Sequence, residues 1–372
     1  MKVKGCKELF EEVINRGLCT LCGACIGRCP YMAFHKGKQV LLRACNLSDG
    51  ECYLYCPRTY MDMDALSQKI FGAPYGEDEF GTAKEILLAR ATNPDIKSKG
   101  QDGGTVSTLL SLAIEEGLIE GVMSSRMLAN KTPRGFIARN RDELLECAGS
   151  CYTASPVLEA YNRIPEENNE KLGVVGLPCQ IQAFTKMRLY PPKHAANVNN
   201  VKLAIGIFCG WALMHAEFHK FLKEHYDLSH IVKFDIPHHP EHTFDMYTKS
   251  EKKSIELDDI KKFIMPTCSY CTDMTAEFSD ISVGSGRRQF LGWNTVIVRT
   301  NAGEKLVKLA KAKGMLETQP LPPENLTHLK IAALNKKKAA LNAIIAVTGN
   351  QDNLLYLWLP EGMANALLTK NI

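Results

Sequence analysis

CTLCGACIGRCP (residues 19–30) and RACNLSDGECYLYCPRT (residues 43–59) carry seven cysteines between them, and each series ends in Cys-Pro. In the first stretch Cys19, Cys22 and Cys25 recur at three-residue intervals, and Cys29-Pro30 follows. Three thiols at that interval wrap a tight loop around one cubane, while the fourth, followed by proline, points away to a second cluster. Gly23 inside the run is expected to let the backbone pass close to the cluster sulfides. Zinc, the alternative, takes its ligands as two pairs rather than as a run of four. The spacing predicts iron–sulfur ligation.

Ligand exchange between two halves of such a motif needs a second Cys-Pro, and Cys56-Pro57 supplies it. The first cluster is then Cys19, Cys22, Cys25 and Cys56. The second takes Cys29 with Cys45 and Cys52, which leaves it one ligand short. Cys6 completes the number, but it also opens the amphipathic stretch CKELFEEVI and reads equally as a buried helix thiol. A non-cysteine ligand and a three-iron cluster are the other readings. Together these residues predict a small, two-cluster, bacterial-ferredoxin-like domain over residues 1–80. It closes with the helical DMDALSQKIFG and the Gly/Pro/acidic connector GAPYGEDEFG at 72–81.

Composition sets limits on the rest. The chain has 372 residues, 45% hydrophobic and 23% charged, and a net charge of +4, so nucleic acid is not an expected partner. No apolar run approaches the roughly 18 residues that span a bilayer. The start, MKVKGCKELFEEV, turns acidic too early for an export signal, so a cytoplasmic protein is expected. Fourteen cysteines at ligand-like spacings in a large chain favour metal or cluster ligation over disulfides.

Beyond residue 81, short apolar runs alternate with amphipathic segments. GVM near 121, KLGVVGL at 171, VKLAIGIF at 201, DISVGS at 280 and NTVIVRT at 294 read as strands. Helical periodicity occupies 105–116, 141–147, 180–188, 215–224 and 302–313. An α/β (α+β) core over residues 81–330 follows, with a helical tail at 331–372. LKIAALNKKKAALNAIIAV in that tail shows a lysine-rich face, expected to be solvated, with partner docking as the alternative.

Four further cysteines lie where elements end: Cys179, Cys209, Cys268 and Cys271. Strand carboxyl ends are where α/β folds build sites. Spacing alone leaves a third iron–sulfur cluster and a zinc both open for this set. QDGGTVSTLLSLAIEEG opens a helix with a glycine pair, which suits either a phosphate site or a plain helix start. With VGSG at 283–286 it is neither a dinucleotide fingerprint nor a Walker loop, so a Rossmann NAD site is not supported. His238, His239 and His242 in IPHHPEHTF read as a loop, and Trp211 and Trp293 as packing aromatics. Arg287 and Arg288 suit a phosphate or an acidic ligand tail as well as a solvated turn.

Six motifs, taken in order, resemble the beta subunits of coenzyme F420-reducing hydrogenases and related dehydrogenases. They are QDGGTVSTLLSLAIEEGLIEGV, AGSCYTASP, KLGVVGLPCQIQAFTKM, AIGIFCG, CSYCTDMTAEFSDISVGS and GWNTVIVRT, and the resemblance covers residues 84 to 340. It implies a core that binds FAD and a 4Fe-4S cluster, with Cys179, Cys209, Cys268 and Cys271 as the cluster ligands. It implies flavin contacts at Gln101, Asp102, Gly103, Gly104, Thr105, Ser107, Gly149, Tyr152, Thr153, Ser155, Pro178, Gln180, Gly284 and Ser285. Two departures stand out: Cys151 occupies a position where the family often has lysine, and GSGRRQFLGW replaces a GSVGSPDGW-like turn.

The implied activity is that of an iron–sulfur flavoprotein. FAD would exchange hydride with coenzyme F420 and pass single electrons through three iron–sulfur clusters. The partner would be a hydrogenase, a formate dehydrogenase or other redox subunit, or ferredoxin, within a hetero-oligomeric complex. A flavin reductase acting on NAD(P)H or another organic substrate, and a pure electron-transfer subunit, are the alternatives.

Overall fold

The computed structural model describes residues 4–129, 131–237 and 240–372, with the side chain of Arg288 left aside. Its centre is a mixed sheet of β1 (Glu85–Ala91), β2 (Gly121–Met127), β3 (Pro133–Ala138), β4 (Leu172–Gly176), β5 (Val201–Ile207), β6 (Ile281–Ser285), β7 (Asn294–Val298) and β8 (Leu316–Pro320). The strand order is β8-β1-β7-β6-β5-β4-β2-β3. The pairs β2–β4, β4–β5 and β5–β6 are parallel, and antiparallel strands flank them on both sides. β4 and β7 are buried along their whole length, which explains how apolar they are: β4 is LGVVG, and β7 ends in Val296, Ile297 and Val298.

Helices cover both faces. On one face α1 (Thr105–Glu115) lays Leu109, Leu110 and Leu112 against Val122, Val175, Ile205 and Val283. On the other, α2 (Pro178–Leu189) packs Ile181, Phe184 and Met187 with Met123, Val174 and Ala204. This second core also takes in Cys22, Tyr55, Met61, Met63 and Leu66 from the cysteine-rich N-terminal stretch. Leu334 and Leu341 of α3 (Pro323–Thr348) join it as well. The expected boundary at residues 330/331 falls inside α3.

The lysine-rich face of α3 is not a solvated one. Leu329, Ala333, Leu334, Lys337, Ala340, Leu341 and Ile344 are buried along the helix. Lys337 belongs to this stripe because Glu277 neutralises its charge there, a long-range compensation that periodicity does not register.

Within the N-terminal stretch, a helical turn Cys6–Leu9 runs into a π-helical turn Phe10–Ile14, and a hairpin pairs Met32–His35 with Lys38–Leu41. Met61–Asp62 pairs in parallel with Leu357–Trp358, which ties the two ends of the chain together. A three-stranded sheet of Lys233–Asp235, Thr243–Tyr247 and Lys252–Glu256 forms its own small core with the helix His215–His225, around Phe218, Leu222, Phe244 and Ile260. Among the described residues no helix is long and apolar enough to cross a membrane.

Candidate functional site

The fourteen cysteines are free thiols, and twelve of them sort into three groups by the neighbours whose charge each feels. Cys25 lies in the field of Cys19, Cys22 and Cys56, and Cys19 in that of Cys56 and Cys22. Cys6 hydrogen-bonds Cys45 beside Cys29, and Cys52 lies in the field of Cys6, Cys29 and Cys45. Cys179 lies beside Cys271 and Cys209, and Cys209 beside Cys268 and Cys271. The fold therefore brings Cys6 into the irregular second group. Cys147 and Cys151 stand apart and feel each other.

Burial dominates the chemistry of these thiols. It pushes Cys19, Cys52 and Cys209 up to about 12, and Cys6 and Cys56 up to about 11, because a thiolate loses its hydration there. Among the described residues no three His, Cys, Asp or Glu side chains close on one point as a single metal ion requires. A cubane binds one thiolate per iron and needs no such convergence. Dry sets of four soft donors fit iron–sulfur clusters.

The groups are also chained together. Cys25 of the first feels Cys52 of the second, and Cys179 of the third feels Cys22 of the first. Tertiary contacts hold the first loop in place. Leu158 donates to the Cys22 carbonyl at 3.0 Å, and Asn162 Nδ2 donates to the carbonyls of Gly23, Ala24 and Ile26 at 3.1, 2.9 and 2.9 Å. Gly23 has φ 92, and a Cβ there would lie 2.7 Å from the backbone of Pro156 and Glu159. Its freedom admits this turn of the core against the cysteine loop.

Three buried or half-buried cations that the sequence reading passed over surround these thiols. Lys186 Nζ donates to the Cys56 carbonyl at 2.7 Å, Thr59 Oγ1 at 2.9 Å and the Tyr60 carbonyl at 2.9 Å. Lys336 Nζ donates to the Cys209 carbonyl at 2.9 Å. Arg58 Nε donates to Thr267 Oγ1 at 3.0 Å, and its guanidinium lies 4.6 Å from the Tyr356 ring centroid. The Cys56-Pro57-Arg58 run was the one available signal for the last of them.

At the carboxyl ends of β2, β4, β5 and β6 lie two adjoining cavities of about 320 and 220 Å³. They share Ser124, Cys147, Gly149, Ser150, Val175 and Phe208. The larger reaches Tyr152, Thr153, Ser155, Gln180 and Trp211, and ends at Cys209. The smaller reaches Gln101, Asp102, Gly104, Thr105, Ser107 and Gly284 beside the N-terminus of α1. Gln180 is fixed twice: its Oε1 accepts from Leu177 N at 2.7 Å and its Nε2 donates to the Ser155 carbonyl at 2.7 Å. The Thr153 hydroxyl is buried at this crevice without a hydrogen-bond partner among the described residues.

Three of the residues expected to contact a flavin do not line these two cavities. Ser285 borders a neighbouring cleft, and Pro178 is buried in the first turn of α2. Gly103 faces the sheet, where a Cβ would lie 2.7 Å from Asn294 Oδ1 and 2.9 Å from the Ala89 carbonyl. Gly104 borders the crevice, but a Cβ there would meet Ile96 at 3.0 Å, and its φ is +71°. Its lack of a side chain serves the entry into α1 and does not clear space for a ligand.

The neighbouring cleft, of about 1110 Å³, shares Gln101 and Asp102 with the smaller cavity and Tyr152 and Ile236 with the larger. Asp235, Glu241, Tyr247, Arg287 and His328 line the rest. The Tyr152 hydroxyl joins the walls, accepting from Gln101 Nε2 at 3.3 Å and from Ile236 N at 3.0 Å. His242 is exposed and bonds Asp258 at 3.1 Å, as a loop residue would; His238 and His239 lie outside the described residues. Trp293 packs under Arg90, 4.3 Å from its ring centroid. A helix N-terminus, an orphan hydroxyl and the apolar walls of Val175, Ile207 and Phe208 fit a ligand that is phosphorylated at one end and has a flat ring system at the other.

Comparison with known proteins identifies the family of this chain. Residues 86–162 match the model of the coenzyme F420 hydrogenase/dehydrogenase beta subunit N-term, and residues 169–324 that of its C terminus. Residues 12–35 match a 4Fe-4S binding domain. The chain is 34% identical to coenzyme F420 hydrogenase subunit beta of Methanothermobacter thermautotrophicus, over 70% of this chain and 94% of that one. It is 28% identical to a subunit of the F(420)H(2) dehydrogenase of Methanosarcina mazei, over 84% of this chain and 88% of that one. It is 29% identical to the coenzyme F420-dependent sulfite reductase of Methanocaldococcus jannaschii, over 88% of this chain and 51% of that protein. Among solved structures, a chain of the F420-reducing [NiFe] hydrogenase complex from Methanosarcina barkeri superposes with a TM-score of 0.64 at 28% identity, covering 72% of this chain and 93% of that one. The chain belongs to the coenzyme F420 hydrogenase/dehydrogenase beta-subunit family, a family of F420-dependent oxidoreductases, and carries a 4Fe-4S binding domain at its N-terminal end.

Proposed function

We propose that the chain binds FAD in the crevice at the strand ends and coenzyme F420 in the adjoining cleft, and couples hydride exchange between them to single-electron transfer. Three 4Fe-4S clusters would sit on Cys19–Cys22–Cys25–Cys56, Cys6–Cys29–Cys45–Cys52 and Cys179–Cys209–Cys268–Cys271. A bound flavin would supply the step between a two-electron carrier and one-electron clusters. One observation carries the reading: cleft, crevice and thiol groups form an unbroken series. Tyr152 and Gln101 wall both cleft and crevice, Cys209 lines the crevice, Cys179 adjoins Cys22, and Cys25 adjoins Cys52.

The chain's own residues then have definite tasks. Gln180 and Ser155 set one wall of the crevice, the α1 N-terminus faces the phosphates, and Arg287 offers a cation to an acidic carrier in the cleft. The Cys6–Cys29–Cys45–Cys52 group lies farthest along the series, beside exposed Leu47, and is where a partner would collect electrons. The relatives named as hydrogenase and dehydrogenase subunits support a hydrogenase or another redox subunit as that partner; a formate dehydrogenase or ferredoxin, in a cytoplasmic hetero-oligomeric complex, is the wider form of the proposal.

Anaerobic purification with cofactor analysis tests the reading. FAD with about twelve irons per chain is expected, four for each cluster. Reduced coenzyme F420 should then bleach the flavin and the clusters. Iron without flavin would make the chain a relay only, and bleaching by NADPH but not by reduced F420 would overturn the choice of carrier.

A further inference from the structure

Arg58 stands between two of the thiol groups. It is 3% exposed, and it donates to two neutral oxygens, Thr267 Oγ1 at 3.0 Å and the Pro57 carbonyl at 3.1 Å. Its charge acts on Cys19, Cys22 and Cys56 on one side. On the other it acts on Cys179 and Cys268, and it hydrogen-bonds Cys271. Lys186 is 2% exposed, and it too bonds neutral oxygens, the Cys56 and Tyr60 carbonyls and the Thr59 hydroxyl. Its charge is felt with Cys56 and Cys22.

Two buried cations whose donated bonds go to neutral oxygens are unfavourable unless anions compensate them. The groups within reach that become anionic are the thiols, when they carry clusters. We infer that Arg58 is the shared counter-cation of the Cys19–Cys22–Cys25–Cys56 and Cys179–Cys209–Cys268–Cys271 clusters, that Lys186 serves the first alone, and that these charges set the reduction potentials at the junction. The inference rests on the proposed cluster assignment. A cluster gains negative charge on reduction, so a cation held close in a dry, low-dielectric setting favours the reduced form. Arg58 acts on both sides of the gap between Cys22 and Cys179, so it keeps the two clusters poised together. Lys186 biases the N-terminal side. No bond forms or breaks; the cations act only on where one electron rests.

The test is a potentiometric titration followed by low-temperature EPR, on the full chain purified anaerobically. Arg58→Gln should make both clusters harder to reduce, each by tenfold or more in equilibrium constant, which for one electron is about 59 mV. Arg58→Lys should restore most of that shift, since it keeps the charge. Lys186→Gln should move the first cluster alone. Unshifted potentials in Arg58→Gln and Lys186→Gln, with all clusters present, would overturn the inference. So would a Lys186→Gln shift that moves the core cluster as much as the first. If Arg58→Gln does not fold, Arg58→Met, which keeps the bulk without the charge, should shift both potentials in the same direction, and a shift confined to one cluster would overturn the shared role. A wild-type chain without iron would instead remove the cluster assignment, a separate failure.

Discussion

Lys337 of α3 and Glu277, just beyond Cys271, form an ion pair in which each side chain is 2% exposed. Tyr75 closes the triangle, donating to Glu277 Oε2 at 2.7 Å and accepting from Lys337 Nζ at 2.9 Å. The triangle clamps the C-terminal helix to the loop that carries two thiols of the core group. Removing one partner of such a pair leaves the other charge buried alone, so Lys337→Met should cost about 3–5 kcal/mol in denaturant unfolding. Adding Glu277→Gln should recover most of that loss. A single-variant loss below about 1 kcal/mol, the value of exposed pairs, would contradict the buried clamp.

Cys6 separates a structural thiol from a ligand. Its hydrogen bond to Cys45 and its position beside Cys29 place it with the second group, where it is proposed as the fourth donor. Cys6→Ala should remove or convert one cluster, lowering iron by one to four atoms per chain and changing one EPR signal while sparing the others. Cys147→Ala, outside the three groups, should change neither. An unaltered spectrum for Cys6→Ala would return this thiol to the helix core.

At Gly284 an added Cβ would fall 2.1 Å from the Phe208 ring, which lines both halves of the crevice. Gly284→Ala must therefore swing Phe208 into the space assigned to the flavin. Overpacking of this kind costs about 1–3 kcal/mol, and FAD affinity should fall about tenfold for each 1.4 kcal/mol carried by the bound state. Flavin fluorescence after equilibrium dialysis reads this directly. A folded variant with full FAD retention would show that the ring system lies elsewhere.

His215 gives the fold a pH dependence. Burial pushes it down to about 4 from its ordinary 6.5; His219, stacked 5.1 Å away, adds to this and Glu217 opposes it. The unfolded chain therefore takes up this proton before the folded one. The contribution is intact above pH 6.5 and is lost as pH falls through 4. Thermal melts of the wild type and His215→Gln should diverge across that window, with the variant losing less. Parallel curves would mean that His215 protonates freely in the folded state.

Much of this protein was legible residue by residue. The spacing of Cys19, Cys22, Cys25 and Cys29 is a local geometric requirement, so one loop suffices to read it. β4, β5, β6 and β7 announced themselves because central strands, covered on both faces, are built mainly of apolar residues. β3 begins at Pro133 and β8 ends at Pro320, and such edge strands tolerate prolines and polar residues that read as loop. β1, EILLARA, suits a helix equally well; only its place between β7 and β8 makes it a strand. The meeting of Cys179, Cys209, Cys268 and Cys271 rests on sheet order, which no local pattern encodes. Arg58, Lys186 and Lys337 carry no local mark of burial for the same reason. A charge is buried only where distant residues compensate it, and those partners come together only in the folded chain.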